Sequence, residues 1–231
     1  MPDYTLAYWP LPFRGQFVRA VLAHVHASWD ETATGAMIAE KNADPASQDV
    51  PHMGPPVLTD HSNGFSISQT AAILAYLGRK HGLMPEDPER EALTHKIVAD
   101  ANDVLGNMTR DNGAQMWTPD EWTAFQPRLR RWMRIFEETG RRHGLKAETG
   151  TMLGTEAPGI ADLTTAVLWG TMTDKLPALR PTLEETAPLV AALCDRVAGL
   201  PEQVELRARS DADYGEEWCS GQIEESIRAV L

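Results

Sequence analysis

Cysteine is nearly absent: the 231-residue chain holds two, Cys194 and Cys219, with no CxxC spacing and no histidine cluster beside either. That argues against a disulfide framework or a thiolate metal centre, and it leaves everything before residue 194 without a thiol of its own. Basic residues are scarce too. Twenty-one Lys and Arg against 33 Asp and Glu give a formal net charge of −12. Neither nucleic acid nor an anionic membrane is therefore an expected partner, because phosphate binding relies on clustered cations. No apolar run approaches the roughly 20 residues that span a bilayer, and "MPDYTLAYWP" lacks the basic-then-apolar order of a targeting segment. A cytoplasmic location is the expectation.

What is present is ordinary for a globular chain, 42% hydrophobic and 23% charged. The length suits two cores of unequal size. Over the first eighty residues the periodicity changes repeatedly. "YTLAYW" reads as a strand; Phe17, Val21, Leu22 and Val25 recur at helical spacing over about 15–26. "ASWDETA" reads as a short strand and "GAMIAEKNA" as a short helix, and "DPASQDVPHMG" is loop-like. "PPVLTDHSNGFSIS" reads as a hairpin, and "SQTAAILAYLGRKHG" as a helix that Ser68 caps and Gly82 stops. After residue 88 no strand alternation is convincing, and helices are expected over 88–115, 118–143, 159–174 and in pieces from 186. Ile160, Leu163, Thr164, Val167, Leu168 and Thr171 mark the third as the core helix. The cation-rich "RLRRWMRIFEETGRRH" reads as a solvated helix face.

Four segments, in this order, carry a family resemblance: "PDYTLAYWPLPFRG", "PPVL", "SISQTAAILAYLGRKHGL" and "GIADLTTAVLW". They are similar to the landmarks of a cytosolic glutathione transferase of the tyrosine type, as in the pi, mu and alpha classes. The resemblance implies a thioredoxin-like α/β domain (βαβ-α-ββ-α, residues 1–82) followed by an all-α domain (88–231). It also implies a homodimer with glutathione as co-substrate, a small hydrophobic electrophile as second substrate, and neither a metal nor a further cofactor. Two departures stand out. Two more residues than in the pi pattern separate Tyr8 from the Arg-Gly pair, and Gly159 stands where a Ser or Thr usually caps the core helix.

On this resemblance Tyr8 is the catalytic residue, its hydroxyl stabilising the glutathione thiolate. Bringing a thiol from about 8.5 to about 6.5 takes roughly 2.7 kcal/mol, and one hydrogen bond to a charged group contributes about 1.5–3 kcal/mol. Without the family pattern, Tyr8 reads as an amphipathic strand-end tyrosine, and Tyr4 is structural. Arg14, just before the helix at Gly15, can add positive field at the sulfur or bind a carboxylate; a solvated arginine is the alternative. The resemblance makes Pro56 cis and offers the Val57 backbone to the cysteinyl residue like an added strand. Gln69 and Thr70, at a helix amino end, suit the γ-glutamyl carboxylate. Asp100 would reach a partner's ligand across the dimer. Trp9 and Leu11 would line the electrophile pocket, with Met108, Met116 and Trp117 facing them. A glutathione peroxidase or isomerase and a non-catalytic glutathione-binding module are the competing functions on the same fold.

Overall fold

The computed structural model describes residues 1–231. Strand β1 (Tyr4–Ala7) is short and largely buried, as a central strand must be. It pairs parallel with β2 (Trp29–Glu31) and antiparallel with β3 (Val57–Asp60); β4 (Phe65–Ser68) closes the order β2-β1-β3-β4. Helix α1 (Phe13–His24) connects the parallel pair and is buried from Gly15 to Ala23. Helix α2 (Thr34–Lys41) precedes β3 and α3 (Thr70–Lys80) follows β4. This is the expected βαβ-α-ββ-α order. One local reading changes: Ser68 ends β4, and Gln69 takes the N-cap position of α3 with φ 74° and no side-chain cap bond.

The remainder is helical. Helix α4 (Pro88–Met108) leads into a single turn, α5 (Arg110–Gly113), and then α6 (Pro119–Arg142). Helix α7 (Ile160–Thr165) runs through a π-helical stretch, Ala166–Thr171, into α8 (Met172–Lys175). Helices α9 (Arg180–Thr186), α10 (Pro188–Ala198), α11 (Pro201–Tyr214) and α12 (Gly221–Val230) complete the chain. The helix expected to reach residue 115 stops early, because Arg110, Asp111 and Asn112 take left-handed φ values of 45°, 57° and 59°. In α6 the cations meet acids, Arg130 with Glu185 and both Arg141 and Arg142 with Glu138, on an exposed face.

The helix start at Gly159 explains its missing cap side chain. The Leu83 carbonyl accepts the Ile160 N–H at 3.1 Å, and a Cβ at residue 159 would stand 2.6 Å from that oxygen. Asp162 supplies the acceptor instead, taking the N–H groups of Gly159 (3.0 Å) and Met152 (2.7 Å). Instead of two unequal cores, one cluster of 46 buried residues extends from Tyr4 to Ile227. The halves merge because α1 and α3 pack directly on α7. No helix is long and apolar enough to cross a membrane.

Candidate active site

A cavity of about 770 Å³ lies where the end of β1, the start of α1, the Pro55–Pro56 turn, the start of α3 and the α4–α5 junction meet. Tyr8, Trp9, Leu11, Arg14, Gln69 and Thr70 all line it. The longer segment between Tyr8 and Arg14 is held from two sides. Arg19, only 2% exposed, donates to the carbonyls of Leu11 (2.8 Å) and Trp9 (3.3 Å) while pairing with Glu31 at 2.8 Å. From the tail, the Trp218 carbonyl accepts the Phe13 N–H at 3.1 Å, and the two rings meet edge to face at 5.3 Å. The extra residues thus fold into a compact loop and the Tyr8 hydroxyl still reaches the start of α1, where it accepts the Arg14 N–H at 3.0 Å. Burial pushes the Tyr8 phenol up to about 12, against the lowering effect of that N–H and of the Arg14 and Arg19 charges. The hydroxyl remains protonated at neutral pH and donates to nothing within the chain.

The α3 end of the cavity gathers groups that can donate to an anion. Gln69 presents a left-handed backbone at the N-cap, the first-turn N–H groups of an 11-residue helix follow, and the Thr70 hydroxyl is buried without a partner. Lys41, from the end of α2, faces the same space. The Pro55–Pro56 bond is cis and both prolines line the cavity, but Val57 does not. Its backbone belongs to the ladder between Ala7 and Ser68, and its side chain packs with Ala7 and Met37. The residues that face the cavity here are Pro55 and Pro56, and a proline has a carbonyl to offer and no N–H.

The helical wall differs from expectation. Met108 is fully buried in the core. Trp117 meets Trp122 edge to face and Phe125 at a tilt, and it donates its indole N–H to the Met108 carbonyl at 2.8 Å. Neither these nor Met116 line the cavity, because the left-handed turn at residues 110–112 carries the chain away from the direction a continued α4 would take. Asn102, Asp103, Asn112 and Thr109 stand there instead. Asp100 pairs with Lys96 on its own helix and lies outside this chain's cavity. Arg14 donates to Asn112 Oδ1 at 2.9 Å and, over a longer 3.4 Å, to Asn102 Oδ1; burial draws its pKa down.

The tail covers one side. Glu224 accepts the N–H groups of Trp218, Cys219 and Ser220 at 3.0, 2.8 and 2.6 Å, fixing a turn from which Cys219 and, on α12, Ile223 face the cavity. Burial pushes the Cys219 thiol up to about 12, which makes it a poor nucleophile. Arg19, Asn102, Asn112 and Cys219 escaped sequence reasoning as site residues, whereas Lys41 had a reading as a carboxylate contact. Of the missed residues only Arg19 carried a signal, a lone charge within the apolar run "FVRAVLA". A second cavity, about 290 Å³, lies against α1 between the core helix, α10 and α11, but its cations are paired, Lys175 with Asp211, Arg180 with Asp195 and Arg207 with Asp174.

A family model described as glutathione S-transferase, C-terminal domain, matches residues 93–230. A putative glutathione S-transferase alpha-3 of Dictyostelium discoideum is 29% identical over 97 residues, a stretch covering 42% of this chain and 45% of that relative's length. The chain thus spans less than half of the curated relative that it matches. Among solved structures, a Pi-class glutathione S-transferase of Onchocerca volvulus superimposes with a TM-score of 0.73 at 20% identity, covering 91% of this chain and 94% of the other. NaGST-2 does so with a TM-score of 0.67 at 22% identity, covering 90% and 97%. At these identities the two structures speak for the fold.

Proposed function

The chain belongs to the glutathione S-transferase family, and on that premise we propose that it ionises glutathione in the 770 Å³ cavity and adds the sulfur to an electrophile. One observation carries the reading: the Tyr8 oxygen accepts the Arg14 N–H, so the hydroxyl's own proton is left to be donated into the cavity. A donor aimed at an anionic sulfur is the main chemical requirement, because the thiolate and not the thiol is the nucleophile. The start of α1 adds a favourable dipole end.

In this reading Tyr8 is the catalytic residue and the thiol belongs to the substrate. Gln69, Thr70 and the α3 amino end take one glutathione carboxylate; Arg14 and Lys41 offer positive charge for the other. Pro55 supplies a carbonyl for the cysteinyl N–H. Trp9 and Leu11 form the apolar side of the electrophile site. The proposed working unit is a cytoplasmic homodimer in which Asp100 faces the partner's ligand. Catalysis consists of thiolate stabilisation and proximity, with no acid or base residue beyond Tyr8.

Calorimetry with glutathione, combined with ultraviolet titration of the bound thiolate, tests this directly. Binding below millimolar concentration with a thiol pKa well under that of free glutathione is the expected result. No binding at millimolar glutathione would remove the reading.

A further inference from the structure

The second cavity, about 290 Å³, shares no lining residue with the one around Tyr8. Pro12, Gln16 and Ala20, each four residues from the next, border it on one side. Another wall is the π-helical stretch Ala166–Thr171, from which Ala166, Val167, Gly170 and Thr171 line the space. A π turn is rare and recurs at sites where a helix has a function beyond packing. Gly170 lets α10 close the cavity behind it, since a Cβ there would stand 3.3 Å from Cys194 Cβ. One buried side chain in this cavity is left half-satisfied. Gln203 is 8% exposed and lies 2.9 Å from the Ala20 carbonyl. A carbonyl only accepts, so the nearer atom is Nε2 and the amide orientation is fixed. Its Oε1 accepts from no atom of the chain, and it is not among the polar atoms sealed in the core, so it borders the cavity that Gln203 lines. A buried acceptor without a donor is costly to keep.

We propose that this cavity is a second binding site, separate from the glutathione site, for a neutral two-ring aromatic molecule with one hydrogen-bond donor, as an indole has, and that Gln203 Oε1 takes that donor. Size, charge and hydrogen bonding each narrow the ligand. A cavity of about 150 Å³ holds one benzene ring, so 290 Å³ admits a fused pair. The charges at its margin cancel, Lys175 with Asp211, Arg180 with Asp195 and Arg207 with Asp174. An ionic ligand would bring a charge that finds no free partner. Leu163, Val167, Val197 and Leu206 offer apolar contact to the ring faces. A ring N–H satisfies Gln203 Oε1, whereas a ring of the same size without one buries that acceptor unpaired. The site needs no thiolate, so it stands whatever chemistry occurs at Tyr8.

The test titrates the methyl-labelled chain with 3-methylindole and with 1-methylindole, isomers of which only the first has an N–H. Nuclear magnetic resonance follows the methyl groups of Leu163, Val167, Val197 and Leu206. 3-Methylindole is expected to shift these resonances saturably and to bind about fivefold or more tightly than its isomer, the effect of one hydrogen bond. In a Gln203→Met variant, which keeps the side-chain length but has no amide oxygen, the preference is expected to vanish. No shift of these resonances at millimolar 3-methylindole overturns the proposal. So does a smaller preference in the native chain, or a preference that survives in a Gln203→Met chain with a cooperative unfolding transition. Should that variant not fold, the two isomers on the native chain decide the matter.

Discussion

The Tyr8 ring occupies the space that a side chain at residue 15 would need: a Cβ built on Gly15 meets Tyr8 Cδ1 at 2.2 Å and Cγ at 2.7 Å. Both Cδ1 and Cγ belong to a ring that is itself 4% exposed, so neither partner can yield without moving the hydroxyl from the Arg14 N–H. Gly15→Ala is therefore expected to destabilise the fold by about 1–3 kcal/mol, the usual cost of overpacking. It is also expected to raise the bound-thiol pKa. Thermal unfolding and thiolate titration read the two effects separately.

Tyr8→Phe removes the oxygen that accepts the Arg14 N–H and the donor proposed for the sulfur. Loss of one hydrogen bond to a charged group, about 1.5–3 kcal/mol, corresponds to a bound-thiol pKa higher by roughly 1–2 units. Conjugation at neutral pH should fall about ten- to a hundredfold. In the native chain the rate should climb as the thiol ionises and then level off. No loss from Tyr8 ionisation is expected until the pH nears about 12, since burial keeps the phenol protonated below that. A descending limb near the ordinary phenol value of about 10 would show that Tyr8 is not the buried donor described.

Gly159→Ser restores the side-chain cap that a helix start normally prefers, yet it should destabilise. The cap would add only a few tenths of a kcal/mol over glycine, while its Cβ would sit 2.6 Å from the backbone Leu83 oxygen. A backbone carbonyl that also holds the Ile160 N–H cannot step aside cheaply. A net loss of about 1–3 kcal/mol should appear as a lower midpoint in urea.

Asp60 lies 1% exposed beneath Lys80, Tyr76 and Ser62. Burial alone would raise its carboxyl, but donation from Lys80, Ser62 and Tyr76 more than offsets this and holds it well below the ordinary range. A folded-state pKa below the unfolded one means the unfolded chain binds more protons in acid. The stabilisation is complete above about pH 4–5 and is lost as pH falls through the unfolded value near 3.9 toward the folded one. Asp60→Asn should cost about 1–3 kcal/mol at neutral pH and flatten the acid limb of stability against pH, both measured by denaturant titration.

The order of the elements was legible because periodicity is local. Phe17, Val21 and Leu22 mark α1 by spacing alone, and "VLTDHSNGFSIS" marks β3, its turn and β4. What failed were ends and faces. Ser68 looked like a cap, but pairing with Val57 claims it for β4. Helix α4 was expected to run to residue 115, with Gly106 and Gly113 inside that span; the left-handed turn there depends on its setting, where Asn112 meets Arg14 across 98 residues of chain.

The candidate site divides along the same line. Its amino-terminal contributors, Tyr8, Trp9, Leu11, Arg14, Gln69 and Thr70, lie in two short segments whose motif order resembled a known family, and the fold brings all of them to one cavity. Val57 stands elsewhere than expected: it pairs with Ala7 and Ser68 in the sheet, and Pro55 and Pro56 line the cavity instead.

By itself, then, the sequence determined which stretches are strands and helices, that no amino-terminal thiol of the protein takes part, and that a tyrosine, an arginine and a helix start adjoin. Those properties follow from neighbours a few residues apart, through side-chain period and chain stiffness. Only tertiary structure decided that the loop after Tyr8 is clamped by Arg19 and Trp218, that α7 merges the two halves into one core, and that two asparagines rather than Met108 and Trp117 line the cavity. These depend on contacts between residues far apart in the chain. Which face of a helix meets a cavity is set by what else is packed against it.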